Sequence, residues 1–473
     1  MEVYDVLTFV LDEDQKTPLY EQLYLLIKSE IQSGRIAREA RLPSKRKLSS
    51  HLQISQNTVQ SAYNQLMEEG FVTSIERRGF YVNEIDHLVQ LDAPPKRAKD
   101  VIQQETDRIR YNFSYQGVDP ETFPFATWRK ISKDVINEYD PELSQLGDHQ
   151  GHISLRTALA SYLYQSRGVN CQPEQVIISS GMEFLLQILI QIFDEESTFG
   201  IENPGYEKLH LLFSSNGTQY QSLPIDEQGI KLGELKRSRV NILCITPAHQ
   251  FPSGEIMSIN RRVQLLNWAN QDPNRYLVED DYDSEFKYSG KPIPALQGLD
   301  HNEKVIYIGA FSKSLSPALR ASYMVLPNHL VRRLKERLPF MICPVPIIDQ
   351  KVLSKFMQDG YFERHVNKMR TVYKRKREVL VREIKALDIP VEIQGADTGL
   401  HLLLKVHNGM TEESLEAQAL EHGVKVYGLS KYYSDKSSMG KVPQILIGFA
   451  ALTETEISAA VQTLYQAWFP SRG

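Results

Sequence analysis

The chain has 473 residues, a formal net charge of -5, and 41% hydrophobic and 24% charged residues; this is the balance of an ordinary soluble globular protein, with a charge too small to identify a partner. Its length exceeds one ordinary core, so two or more domains of roughly 100–200 residues each are expected. Cys171, Cys244 and Cys343 have neither metal-ligand spacing nor the even count of a disulfide framework, which fits a reducing cytoplasm. The opening MEVYDVLTFVLDEDQ lacks a basic-then-apolar leader, and the greasiest run, FLLQILIQIF, is short and broken by glutamines, so no export signal and no membrane span are expected.

Residues 17 to 82 read as three short helices followed by a hairpin, GFVTSIERRGFYV, turning around Glu76 to Gly79. Within LPSKRKLSSHLQISQNTVQSAYNQLMEEG, the pattern predicts a helix capped by Ser44, a turn around Gln53 to Ser55, and a second helix. Val59, Ala62, Tyr63 and Leu66 stand at i, i+3, i+4 and i+7 of that second helix and make one buried face. Its other face carries Gln56, Asn57, Gln60 and Ser61, short polar side chains suited to base edges if the leading turn enters a major groove. From Lys16 to Val82 ten basic residues oppose six acidic ones, so this segment is cationic while the remainder is anionic. The candidate DNA contacts are Arg46, Ser55, Gln56, Asn57, Thr58 and Gln60, with Arg77 and Arg78 of the hairpin reaching phosphate. A bare helix-turn-helix pattern also fits solvated charges on a small helical bundle. The strings TPLYEQLYLLIKSEIQSGRI, LPSKRKLSSHL, ISQNTVQSAYNQLMEEGFV and RRGFYV together resemble the winged-helix domain of GntR-type bacterial regulators over its whole length. Gln56 follows the turn serine where that family commonly has arginine, which implies an altered sequence preference. The stretch NEIDHLVQLDAPPKRAKDVIQQETDRIR, with Pro94 and Pro95, has the composition of a linker. The expected division is a winged helix-turn-helix domain at 1–83, a linker at 84–111 and an effector domain at 112–473.

After the linker, helical stretches such as SLRTALASYLYQSRG alternate with short apolar runs, QVIIS, VNILCIT, RYLVED and KVIYIG, which predicts an α/β domain with a mostly parallel central sheet. VIYI, Val305 to Ile308, ends at a glycine and places Lys313 just beyond a strand end. VEDDYDSEF puts Asp280 and Tyr282 at another strand end, ISSGMEF makes a strand-to-helix turn, and ENPGY offers Tyr206. Together they make the set that pyridoxal phosphate needs. Lys313 would supply the Schiff-base amine and Asp280 the carboxylate for the pyridine nitrogen. The backbone N–H groups of Gly181 and Met182, the Ser312 hydroxyl and the Arg320 guanidinium would cradle phosphate. Tyr282 would bond the ring oxygen, and Tyr206 would stack on the ring. Taken singly, each has a structural reading as a cap, a core filler or a surface charge.

From FPFATWRK through LGDHQGHISLRTALASYL to LIGFAAL, residues 112 to 470 resemble fold-type I aminotransferases. A winged helix followed by such a domain is similar to the MocR subfamily of GntR-type regulators. The resemblance implies those cofactor roles, a head-to-tail homodimer, and a double-stranded DNA operator with repeated half-sites. It also marks departures: Ala310 stands where relatives often have a hydroxyl, and Leu446 stands where aminotransferases carry the arginine that clamps a substrate carboxylate. Lys208 and Lys431 stand where the family's GABA-responsive type has arginines, and lysine lacks the planar fork. The preferred function is a regulator that senses pyridoxal phosphate and controls vitamin B6 synthesis. The alternatives are a regulator that senses an amino acid or dipeptide displacing Lys313 from the cofactor, with Lys208 and Lys431 as effector ligands, and an aminotransferase with an accessory DNA-binding domain. A regulator would carry no catalytic residues and no metal.

Overall fold

The computed structural model describes residues 9, 11–12, 17–84, 109–137, 140–288, 293–434 and 440–469. The chain divides into two units, Met1–Asp100 and Val101–Gly473. Most of the linker expected at 84–111 lies outside the described residues.

In the first unit, helices Leu19–Gln32, Lys45–Leu52 and Gln56–Glu68 precede a hairpin of Val72–Ile75 and Gly79–Val82. The local signals act as the sequence suggests. Ser44 caps its helix by accepting from the Lys47 N–H, and Gln53 ends that helix in the left-handed conformation, turning the chain toward Ser55. Val59, Ala62, Tyr63 and Leu66 are fully buried and pack with Leu23, Ile27 and Leu48. The Tyr63 hydroxyl donates to the Pro43 carbonyl at 2.9 Å, and its ring meets Phe80 edge-on at 4.7 Å. The strands pair from Val72↔Val82 to Ile75↔Gly79, leaving Arg77 and Arg78 exposed at the tip.

The second unit is built on an eight-stranded sheet. In spatial order its strands are Val176–Ser179, Ser322–Val325, Val305–Ala310, Tyr276–Asp281, Ile242–Ile245, Phe199–Asn203, Tyr220–Asp226 and Gly229–Ile230. The central pairs are parallel, as expected. Ser322–Val325 runs antiparallel to both of its neighbours. Successive residues feed opposite layers. Val176, Ile178, Tyr307, Tyr323 and Val325 join one core, and Ile177, Ile306, Ile308 and Met324 join the other. Burial on both faces accounts for the continuously apolar strands. The register aligns Ile308 with Asp280, Gly309 with Asp281, Ala310 with Ser322, and Ser322 with Ser179. One edge thus gathers the carboxyl ends of the parallel strands and the amino end of the antiparallel Ser322–Val325, the edge at which open α/β sheets bind ligands.

A second, antiparallel sheet of Val391–Gln394, His401–Val406, Gln444–Gly448 and Tyr427–Gly428 packs with the helices Tyr361–Ala386 and Glu454–Trp468. Among the described residues no helix is long and apolar enough to cross a membrane.

Candidate cofactor site and DNA-reading face

Strand Tyr276–Asp281 ends in two adjacent carboxylates with different fates. Asp281 is taken by structure: buried Arg167 donates to it at 2.8 Å and the Tyr307 hydroxyl at 2.6 Å. Among the described residues Asp280 Oδ1 is buried without a hydrogen-bond partner. Burial, reinforced by Asp281, Asp283, Glu202 and Glu279, pushes the Asp280 carboxyl well above the usual range. A buried carboxylate without a partner is unfavourable, and a protonated pyridine nitrogen would supply one. Beside it, Glu202 accepts from the Thr246 N–H at 3.1 Å and hydroxyl at 2.7 Å, leaving Oε1 unpartnered; burial lifts its carboxyl to about 7.

Lys313 lies in the helical turn Phe311–Ser314, directly after strand Val305–Ala310. Its ammonium donates to the Tyr115 carbonyl and stands 5.7 Å from the centre of the Tyr115 ring. Burial pushes the amine down to about 8, only partly opposed by Asp283. The neutral, nucleophilic form is therefore accessible near neutral pH.

The phosphate-binding groups come together in part. Gly181 caps helix Met182–Ile192 at φ 94°, and a β-carbon there would collide with the Arg320 guanidinium, so this close approach requires glycine. Arg320 faces the Ser180 carbonyl at 3.5 Å and the Glu183 carboxylate at 3.3 Å. Half-buried Ser312 sits beside Lys313 in the same turn. One expectation changes: the Gly181 N–H donates to the Ser322 hydroxyl at 2.9 Å, so Met182 is the residue of the pair whose N–H opens the helix.

Tyr206 precedes helix Glu207–Ser215 and meets Phe251 edge-on at 5.7 Å. Tyr115, Tyr206 and Tyr282 pack around Phe251, Leu403, Leu429, Tyr432 and Leu446. Of the two lysines expected as effector ligands, Lys208 pairs at 3.0 Å with Glu183, the carboxylate that also faces Arg320, and Lys431 lies 4.4 Å from the Tyr427 ring centre. Sequence reasoning missed Tyr115, Phe251 and His249. The run PAHQFPSG follows the end of strand Ile242–Ile245, so the strand-end rule applied to Lys313 and Asp280 would have pointed to it.

These donors fit pyridoxal phosphate: an amine, an unpartnered acid, a helix start and a guanidinium on one sheet edge. Replacing Asp280 by Asn should weaken cofactor retention and shift the visible absorption band, because the charge facing the ring nitrogen is gone. Equal affinity and an equal spectrum would place another group at that nitrogen.

On the small unit, Gln56, Asn57 and Arg46 are exposed, while Thr58 and Gln60 are half-buried. Ser55 accepts from the Thr58 N–H at 3.0 Å, which makes it the helix cap. Gln60 accepts from the Lys45 ammonium and donates to Asn64. Ser55 and Gln60 thus support the face that Gln56 and Asn57 present.

Residues 116–464 match the aminotransferase class I and II family, and residues 19–82 match the bacterial regulatory proteins of the gntR family. The uncharacterized HTH-type transcriptional regulator YdeL of Bacillus subtilis is 41% identical over 95% of this chain and 97% of its own. The probable rhizopine catabolism regulatory protein MocR of Rhizobium meliloti is 30% identical over 97% of this chain and 95% of its own. The HTH-type pyridoxine biosynthesis transcriptional regulator PdxR of Corynebacterium glutamicum is 28% identical over 96% and 98%. An archaeal alanine:glyoxylate aminotransferase superposes with a TM-score of 0.70 at 24% identity, covering 79% of this chain and 95% of that one, a likeness of fold. A DNA-binding winged helix joined to a pyridoxal-phosphate fold, matched along nearly the whole chain by HTH-type regulators, places this protein in the MocR subfamily of GntR-type transcriptional regulators.

Proposed function

We propose that this regulator senses pyridoxal phosphate itself and controls genes of vitamin B6 synthesis, acting as a head-to-tail homodimer on a double-stranded operator with two half-sites. The observation that carries the reading is Leu446. It is fully buried in strand Gln444–Gly448, opposite Leu403, where an aminotransferase would present its carboxylate-clamping arginine. Its neighbours around Phe251 are tyrosines and leucines. The chain therefore keeps the groups suited to the cofactor and fills the place of the substrate clamp with packed hydrocarbon. Similarity to PdxR along 96% of the chain supports the same reading.

Bound pyridoxal phosphate would supply an aldehyde carbon and an electron-withdrawing ring. Lys313 would attack that carbon as a neutral amine, Asp280 would hold a proton on the ring nitrogen, and Arg320 with the Met182 helix start would hold the phosphate. A ligand shifts a conformational equilibrium only by its differential affinity for the two states, so cofactor-free and cofactor-loaded protein must differ in operator affinity. Titrating operator binding with pyridoxal phosphate and then with GABA, other amino acids and dipeptides tests this. The cofactor should change affinity and the amines should add nothing. Equal affinity with and without cofactor, followed by a response to one amine, would transfer the sensing role to an amine effector. Turnover of an amino donor with a keto acid at an enzyme's rate would instead favour an aminotransferase.

Operator binding should weaken steeply with salt. Replacing Arg77 and Arg78 by Ala should flatten the slope of log affinity against log salt by about one for each phosphate no longer neutralised. A slope unchanged in the double variant would remove the hairpin from the interface. An operator with a single half-site should bind far more weakly than one with two.

A further inference from the structure

Behind the site, three side chains share one hydrogen atom. Tyr282 and Asp283 follow strand Tyr276–Asp281, and His249 lies in the loop after Ile242–Ile245. His249 Nδ1 stands 3.0 Å from each oxygen of Asp283 and 2.9 Å from the Tyr282 hydroxyl. One ring nitrogen cannot donate to a carboxylate and accept from a phenol at once. An ionised carboxylate only accepts, so the proton sits on Nδ1 and is shared by Asp283 and the Tyr282 oxygen. The tyrosine's own O–H is then left to point elsewhere. Among the described residues Nε2 of His249 is buried without a hydrogen-bond partner; an N–H there would be an unsatisfied buried donor, which favours Nδ1 as the nitrogen that carries the N–H.

The surroundings fix this arrangement. The Leu400 N–H donates to Asp283 at 3.3 Å, and a β-carbon at Gly399 would collide with both His249 and Asp283. Gly399 is thus a close-approach glycine, and its φ of 70° suits no other residue well. The charged and titratable groups around Tyr282 are Asp283, Asp280 and Asp281, and Glu202 of strand Phe199–Asn203, while Lys313, in the turn after strand Val305–Ala310, and His401 of the second sheet face the same Asp283. Burial and the nearby Asp283 and Asp280 keep the phenol protonated. His401 packs 4.8 Å from the His249 ring, faces the Pro252 carbonyl at 3.2 Å, and is pushed down to about 3 by burial, so it brings no charge.

We propose that Asp283 and His249 are positioning residues that fix Tyr282 as a hydrogen-bond donor to the ring oxygen of bound pyridoxal phosphate. This rests on the cofactor reading above and assigns a role to two residues that do not themselves touch the ring. The ring oxygen otherwise attracts the proton on the nitrogen that joins Lys313 to the cofactor. A donor from Tyr282 weakens that attraction and lowers the pH midpoint at which the visible band changes.

The test is a pH titration of the visible band in the cofactor-loaded full chain. Tyr282→Phe should raise the midpoint by about one pH unit, the scale of one hydrogen bond to a charged group. Asp283→Asn should raise it in the same direction, because without the carboxylate's charge the proton is no longer held on Nδ1, and an unprotonated Nδ1 can accept the Tyr282 O–H. The double variant should move no further than Tyr282→Phe alone. If Asp283→Asn does not fold, the His249 pair decides: His249→Asn keeps an N–H near the Nδ1 position and should retain the parental midpoint, whereas His249→Phe should raise it. A purely structural role would lower cofactor affinity in all of these variants without this coupling. Additive shifts in the double variant, or equal midpoints for His249→Asn and His249→Phe, would overturn the inference alone. A parent protein with no visible band would overturn the cofactor reading with it.

Discussion

Replacing Lys313 by alanine should abolish the visible absorption band of the cofactor-loaded protein and leave the fold intact. Among the described residues the ammonium makes no ion pair; its partners are the carbonyl and ring of Tyr115. Removing it deletes a desolvated amine and one hydrogen bond to a carbonyl, so the cofactor-free protein should lose only about 1 kcal/mol, the middle of the range for single substitutions. The phosphate groups remain, so pyridoxal phosphate should still bind weakly without its covalent bond. The parent protein has a pH signature of its own. An amine at about 8 is roughly one-tenth neutral at pH 7, against roughly a thousandth or less for an ordinary lysine. The depressed value means that the reactive form is present above pH 8 and is lost as pH falls through it. Cofactor uptake should accelerate about tenfold per unit up to pH 8 and then level off. A visible band that survives in Lys313→Ala would place the bond on another lysine, and uptake still climbing at pH 10 would mean that Lys313 is solvated.

Replacing Tyr63 by alanine should cost the small unit its fold while the large one keeps its cofactor. Tyr63 is fully buried among the three helices and the hairpin. Truncating such an aromatic costs about 3–5 kcal/mol, and the Pro43 carbonyl also loses its donor. A unit of this size has a total stability of about 3–10 kcal/mol, so most of the reserve disappears. Operator affinity should fall in proportion to the fraction of small units left folded, with an early melting transition and an unchanged visible band. Loss of that band together with DNA binding would show that the two units unfold as one.

The elements most legible in sequence are those specified locally. Ser44 and Ser55 cap because a hydroxyl can reach an N–H three residues on, and the Val59, Ala62, Tyr63, Leu66 face follows from helix periodicity alone. The strand before Lys313 was also visible, although it runs to Ala310, two residues past the apolar run. Choices that depend on distant partners were not legible. EDDYD offers three aspartates, and what separates them is Arg167 on Asp281 and His249 on Asp283, groups 114 and 34 residues away. The reversed direction of Ser322–Val325 carries no signal, because SYMV reads the same in a parallel or an antiparallel strand. The diversion of the Gly181 N–H to Ser322 follows from that reversal.

That hydroxyl acts as a fulcrum. Ser322 takes the Gly181 N–H and returns its own proton to the Ser179 carbonyl, both at 2.9 Å, while its backbone is paired with Ala310 at the end of the lysine strand. The turn bearing the amine and the turn opening the Met182 helix are riveted together through one side chain 141 residues from Gly181. So joined, the two turns would move as a single jaw, and a shift imposed at one end of a ligand held between them would be passed to the other.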